Sequence, residues 1–304
     1  MAMKTLSTTV ENAGRVDAIV RQLSGVSHSQ VRGLFDHDCV SVNSLVCEDP
    51  AITVSRGDLV ALRFDPTQRY KEKKRPRGDR TFKINFEDDH FIVVEKLAGS
   101  LTVPTDRRES NTLVQRVSLY LNHAPKKSSA FVVHRLDREV SGLLVFGKNK
   151  RIADRLIEQF RAHKPERNYL AIVAGQLPND HGTMRSHLAT AKNLDRFVAR
   201  ESSDTEMAIT HYQVTRRMPD ATVVQVTLET GKRNQIRVHF ADAGHPVLGD
   251  SRYQPELAQH LRWPWKRIAL HAMTLGFEHP VTGQAVKFES PVPAELQKFI
   301  SNIR

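Results

Sequence analysis

Residues 131–148 read FVVHRLDREVSGLLVFGK. Two apolar runs, Phe131-Val132-Val133 and Leu143-Leu144-Val145-Phe146, have the composition of buried strands. Between them lie His134, Arg135, Asp137, Arg138, Glu139 and the pair Ser141-Gly142. A polar turn clamped by two buried strands is a rigid mount for a side chain at the edge of a cavity. Asp137 is the candidate for chemistry at that edge. The local pattern leaves a second role open, an aspartate that hydrogen-bonds its own turn.

Further elements extend on both sides. Phe91-Ile92-Val93-Val94 and Tyr169-Leu170-Ala171-Ile172-Val173 read as strands. Leu113, Val117, Tyr120 and Leu121 recur at helical spacing, as do Ile152, Leu156 and Phe160. Val224, Val226 and Leu228 alternate with Gln225, Thr227 and Glu229, which predicts a strand with one covered face. Arg237 alternates with Ile236 and Val238, and the spacing predicts a strand there too. Strands and helices mix without regular alternation, so the expected class is α+β.

Residues 14–64 are expected to form a small α/β domain. Val16, Ile19, Val20 and Leu23 make one helical stripe, Ser27-His28-Ser29 a cap signal, and Val31, Leu34 and Phe35 a second stripe. A small β unit follows. Residues 65–80 read as a linker; within them, 69–80 carry seven basic and two acidic residues, a local charge of +5. Such a run buries too little apolar surface to fold alone. It is either a solvated tether or an arm that grips phosphates through Lys73, Lys74 and Arg75. Residues 81–304 are the larger domain.

The chain has 304 residues, 39% hydrophobic and 26% charged, enough for a substantial core. Forty-five Lys and Arg against 34 Asp and Glu leave a charge of +11, which favours a polyanionic partner. No apolar run approaches the ~18 residues of a membrane span, and residues 1–10 lack a secretory apolar stretch. Two cysteines exclude a disulfide scaffold and fit a reducing compartment, so a cytoplasmic protein is expected. His28, His37, Cys39 and Cys47 lie in one zone, but their spacing fits no common zinc pattern, and no metal is expected.

The segment HRLDREVSGLL resembles the signature of the RluA family of RNA pseudouridine synthases, in which the aspartate of HRLD is catalytic. Other segments agree, in the family's order. Residues 167–175, RNYLAIVAG, are similar to its tyrosine motif, and residues 230–239, TGKRNQIRVH, to its arginine motif. Residues 244–250, GHPVLGD, and 279–283, HPVTG, match further landmarks. The resemblance runs from about Thr81 onward. Residues 14–64 are more weakly similar to the alpha-L (S-four-like) RNA-binding domain, with His28 where that fold usually has arginine. Elsewhere the chain departs from the family pattern. Leu97 follows Lys96 where proline is usual, and Val140 replaces a threonine. Lys232, Arg233 and Asn234 stand where arginine, a polar residue and histidine are usual. Lys96 itself reads as a surface residue at a strand end.

The resemblance implies a catalytic domain with a mixed, mainly antiparallel sheet flanked by helices. It implies isomerisation of specific uridines in structured RNA, ribosomal or transfer, with no cofactor. Asp137 is then the catalytic carboxylate, acting at the sugar as nucleophile or base. Arg237 is its partner, and its permanent charge opposes the neutralising effect of burial. Tyr169 stacks on the uracil and helps remove the proton from carbon five. Without the resemblance, Tyr169 also fits a core position and Arg237 a strand surface. The target uridine must leave its stack, which costs a few kcal/mol. Arg135 is expected either to fill the gap or to clamp a phosphate. His134, Lys232, Arg233 and Asn234 complete the expected RNA contacts. A monomer is expected, and the rival reading is a catalytically silent RNA-binding or ribosome-assembly protein.

Overall fold

A computed structural model describes residues 3–47, 50, 52–70, 82–124 and 127–301, without the side chains of residues 28 and 29. The chain divides into two compact units, Met1–Gly78 and Asp79–Arg304. Lys73, Lys74 and Arg75 lie outside the described residues, as does the side chain of His28.

The first unit contains β1 (Lys4–Thr9), β2 (Gly14–Arg15), α1 (Val16–Ser24), α2 (His28–Asp36), β3 (Val40–Val42), β4 (Leu45–Val46), β5 (Thr53–Val54) and β6 (Leu59–Phe64). Its four-stranded sheet runs β1-β6-β3-β4, and β2 pairs with β5. Ser27 is the N-cap of α2, and its backbone N–H donates to Gln30 Oε1 at 3.3 Å. Val16, Val20, Leu34, Phe35, Val60 and Leu62 fill the core.

Two boundaries differ from the sequence expectation. β1 lies ahead of residue 14 and pairs with β6 along its whole length, from Lys4↔Phe64 to Thr9↔Leu59. Its sequence, KTLSTT, carries one apolar residue, so no hydrophobic pattern announces it. At the other end, the stretch from Asp65 to Tyr70 packs on the unit instead of starting a tether. Tyr70 is buried against His37 and Phe64, and its hydroxyl accepts the Asp65 N–H at 2.8 Å. An aromatic ring with one polar tip anchors where a basic neighbour would stay solvated.

The second unit contains β7 (Phe82–Glu87), β8 (Phe91–Lys96), α3 (Leu113–Asn122), β9 (Phe131–Val132), β10 (Ser141–Gly147), α4 (Lys150–Arg161), β11 (Glu166–Ala174), β12 (His181–Thr190), β13 (Arg196–Ala199), β14 (Glu206–Arg217), β15 (Ala221–Leu228), α5 (Gln235–Asp242), α6 (Pro255–Ala258), β16 (Leu270–Glu278), β17 (Ala285–Glu289) and α7 (Ala294–Ser301). One sheet runs β13-β12-β14-β15-β11-β16-β10-β8-β7, with β17 beside β16 and β9 beside β10. The β10–β16 pair is parallel and the others are antiparallel. The architecture is the expected α+β one, a mixed and mainly antiparallel sheet with helices.

The quoted stretch forms the centre. All seven residues of β10 and all six of β8 are buried; the apolar runs Leu143–Phe146 and Phe91–Val94 demand this, and the charged Glu95 and Lys96 are buried with them. Gly142 has φ +121°, and a Cβ there would lie 2.2 Å from Ala272 O. Glycine is therefore what lets β10 run beside β16. The run 131–133 does not form a second buried strand. β9 has two residues, part exposed, paired with Phe146 and Gly147. The chain leaves the sheet there because the His134 ring turns back, stacks on Phe160 at 4.5 Å and accepts the Val145 N–H at 3.2 Å.

Arg237 lies on helix α5 and not on a strand. Every residue from Gln235 to Ala241 is buried, so the helix shows no polar stripe, and a three-residue alternation is compatible with either period. Its start is set by Asn234, an N-cap with φ +57°, and by Gln235. The Gln235 amide accepts from Thr230 Oγ1 and the Lys232 N–H, and donates to Ile209 O and Thr210 Oγ1.

Candidate active site

Asp137 stands on the loop between β9 and β10, and both of its chain neighbours are pinned. Thr102 Oγ1 donates to Leu136 O at 2.7 Å and accepts the Leu136 N–H at 3.2 Å. The Gly99 N–H donates to Arg138 O at 2.7 Å. Lys96 Nζ donates to Leu97 O, Ser100 O and Arg138 O at 3.2, 2.9 and 3.0 Å. With Leu136 and Arg138 tied down, the residue between them has little freedom.

Lys96 is thus not a surface residue. It is 0% exposed. Three carbonyls satisfy its ammonium and its aliphatic stem fills the core, a burial that its charged neighbour Glu95 disguises in the sequence. Burial pulls its pKa down to about 7, opposed in part by the negative charges of Asp137 and Glu139.

The Asp137 carboxylate is bound by Arg237 and not by its own turn. Arg237 Nη1 donates to Asp137 Oδ2 at 3.2 Å. The same guanidinium grips Asp250 in a fork, Nε to Oδ2 at 2.7 Å and Nη2 to Oδ1 at 2.8 Å. Nη1 also reaches Asn234 Oδ1 at 3.2 Å, and the guanidinium lies over the Tyr253 ring at 5.0 Å. Burial alone would lower the Arg237 pKa, but Asp250 and then Asp137 outweigh it and push it up. Arg237 is a permanent cation with a fixed orientation.

Asp137, Tyr169 and Arg237 line one cavity of about 160 Å³, with Arg135, Leu136, Val140, Leu228, Ile236 and Leu270. The bed is apolar and one wall is charged. Tyr169 is 8% exposed and sits on β11 opposite Val226. Burial raises its pKa, with Arg167 opposing and Asp137 adding to the rise, so its hydroxyl is protonated at neutral pH. A larger open hollow of about 640 Å³ lies elsewhere in the unit, beside Asp220, His245 and Arg262, and contains none of these groups.

The other expected contacts separate into rim and support. Arg135 is exposed and lines the cavity mouth. Lys232 and Arg233 line it too, with Lys232 Nζ on Glu206 at 3.0 Å and Arg233 Nη2 on Leu194 O at 2.6 Å. Asn234 is buried and its amide is occupied by Arg237 and by Tyr253 Oη at 2.9 Å, so it supports the arginine. His134 packs beneath the loop, and burial pulls its pKa down to about 3, so it brings no cation to a phosphate. Asp250 and Tyr253 escaped the sequence reading as members of the site. The available signal was the aspartate that ends GHPVLGD.

The geometry sets one carboxylate against a fixed guanidinium in a small cleft with an apolar bed, beside a buried tyrosine and with cations at the mouth. Comparison with known proteins identifies relatives of the chain. A profile of the family described as RNA pseudouridylate synthase matches residues 90–242. The ribosomal large subunit pseudouridine synthase D of Nitrosomonas europaea is 33% identical over 307 residues, 94% of this chain and 83% of that protein. Its namesake in Zymomonas mobilis is 32% identical over 313 residues, 98% and 96% of the two chains. Among solved structures, human RNA pseudouridylate synthase domain containing 4 superposes with a TM-score of 0.61 at 20% identity, covering 71% of this chain and 91% of that one. That likeness is one of fold.

Proposed function

The chain belongs to the RNA pseudouridylate synthase family, and from that premise we propose that it converts specific uridines of ribosomal RNA to pseudouridine, with Asp137 as the catalytic carboxylate. The observation that carries this reading is the Arg237–Asp137 contact of 3.2 Å at a cavity that Tyr169 also lines.

The uridine is drawn out of its stack and enters the cleft, with Arg135 taking the vacated place. Asp137 acts on the ribose, as nucleophile at the anomeric carbon or as base at its neighbour, and either role requires the anion. Arg237 supplies the counter-charge in a partly desolvated site, where an unpaired carboxylate would take up a proton. The bond from the sugar to nitrogen one breaks. The freed uracil rests against Tyr169 and turns. Carbon five then bonds to the sugar and loses its proton, and nitrogen one ends protonated, so atoms balance without a second substrate. The apolar bed formed by Val140, Leu228 and Leu270 keeps water from the intermediate.

The first unit, with β1 and the stretch from Asp65 to Tyr70 included, serves as a small RNA-binding module, and the second unit is the catalytic domain. The protein works as a cytoplasmic monomer. Its charge of +11 suits a polyanionic substrate. The test compares pseudouridine maps of total RNA from cells carrying the wild type or Asp137→Asn. The expected result is loss of one or a few ribosomal sites. Identical maps at equal protein levels favour a silent RNA-binding protein instead.

A further inference from the structure

The β12–β13 hairpin contains a residue that folding does not explain. Its turn, 191–195, is closed by two hydrogen bonds, Leu194 N–H to Ala191 O at 2.9 Å and Ala191 N–H to Asp195 O at 2.8 Å. This pattern is a turn that ends in one left-handed residue, a place usually held by glycine. Here Leu194 holds it, at φ +68°. A bulky side chain at positive φ is strained. Leu194 gains no burial in return, since it is 55% exposed. A single exposed leucine is ordinary, but one held on strained backbone without burial in return points to a use outside the fold.

The turn is fastened to the wall of the catalytic cavity. Arg233, which lines that cavity, donates from Nη2 to Leu194 O at 2.6 Å. Lys232, its neighbour in the lining, binds Glu206 at 3.0 Å, and Glu206 also takes Arg196 of β13 at 2.7 Å. Arg252 binds Asp195 at 3.1 Å, and the Arg196 N–H donates to Tyr253 Oη at 3.2 Å. Tyr253 is the ring under Arg237. The hairpin tip is therefore held in register with the reacting carboxylate. Exposed Lys192 lies on the same turn, and Phe197, 47% exposed, follows on β13.

We propose that Leu194 is a specificity-determining contact, an apolar platform for the base of a nucleotide flanking the target uridine, with Lys192 and Arg233 facing that nucleotide's phosphates. The occupant is RNA because the surface continues from the cavity mouth and is bordered by cations. An apolar side chain set against an unstacked base is a general means of holding a distorted strand. The inference rests on the pseudouridine synthase reading above.

The test uses the full-length protein and total RNA from a strain lacking its gene. Leu194→Asn and Leu194→Gly suit the left-handed backbone and remove the apolar surface. Both variants are expected to melt at or above the wild-type temperature. Both are expected to lose about tenfold in kcat/KM at the modified site, the size of one lost base contact, with the change in KM and not in single-turnover rate. Leu261→Asn, an exposed leucine outside the site, is expected to match the wild type. Unchanged kcat/KM, a lower melting temperature, or an equal loss in Leu261→Asn overturns the assignment. Wild-type protein that forms no pseudouridine in this RNA overturns the functional reading and the platform with it. An active wild type with unaffected variants overturns the platform alone.

Discussion

Arg237 holds Asp250 through two hydrogen bonds, of 2.7 and 2.8 Å, and Asp137 through one, of 3.2 Å. The stronger grip is on the acid that is 2% exposed, and the weaker on the acid at the cavity. Asp250 thus fixes the guanidinium, and the guanidinium then meets Asp137 with a spare arm. Among the described residues no hydrogen bond reaches Asp137 Oδ1, so one oxygen stays available to a substrate.

Asp250→Asn leaves the shape and removes the anchoring charge. The buried guanidinium loses its main partner, which is expected to cost about 3–5 kcal/mol of stability. Activity is expected to fall with it, although Asp250 does not line the cavity. Urea denaturation and single-turnover pseudouridine formation check this together. Wild-type values in both would show that Arg237 does not depend on Asp250.

Tyr169→Phe keeps the ring and deletes the hydroxyl. RNA binding is expected to match the wild type while turnover slows, because in the proposed mechanism the ring supports the uracil and the hydroxyl helps remove the proton from carbon five. Filter binding and initial rates on the same RNA separate the two effects. Wild-type turnover would remove the hydroxyl from the chemistry.

Three histidines, His239 and His271 buried and His134 half-buried, set a lower pH limit. Burial, as the leading cause, pulls His134 to about 3 and His239 and His271 to about 4. In the unfolded chain each titrates near 6.5. The folded state therefore binds fewer protons between these values, and stability is complete above about pH 6.5 and is lost as pH falls towards 4. Three such groups give a slope of about 4 kcal/mol per pH unit at its steepest. Urea midpoints at pH 7.0, 5.5 and 4.5 measure it, and a flat series would contradict the neutral state of these rings.

Gly142→Ala places a methyl group against the Ala272 backbone at a φ of +121°. The strain and overlap together are expected to cost on the order of 3 kcal/mol. A shift in melting temperature with partial loss of activity is the expected result, since β10 carries the loop of Asp137. An unchanged melting temperature would mean that β16 yields easily.

The sequence exposed what depends on continuous apolar runs. β8, β10 and β11 could be read because their burial is written in adjacent residues. Asp137, Tyr169 and Arg237 could be named because motifs surround them, and the structure brings all three to one cavity. The helix of Arg237 was hidden because burial on every side erases the stripe that distinguishes a helix from a strand. β1 was hidden because a mostly polar edge strand has little apolar pattern. Lys96 was misread because a charged residue at a strand end resembles a solvated one until three carbonyls are found around it. Asp250 was missed as a partner because a fork across 13 residues of chain is a property of folded geometry.

The Lys96 clamp touches main-chain oxygens alone, and this separates form from residue identity. Leu97, Ser100 and Arg138 offer it the same atoms that any replacement would, so the path of the loop depends on the one lysine and not on which side chains those three positions carry. Exchanging those side chains would change what the loop displays at its surface and leave the seat of Asp137 standing.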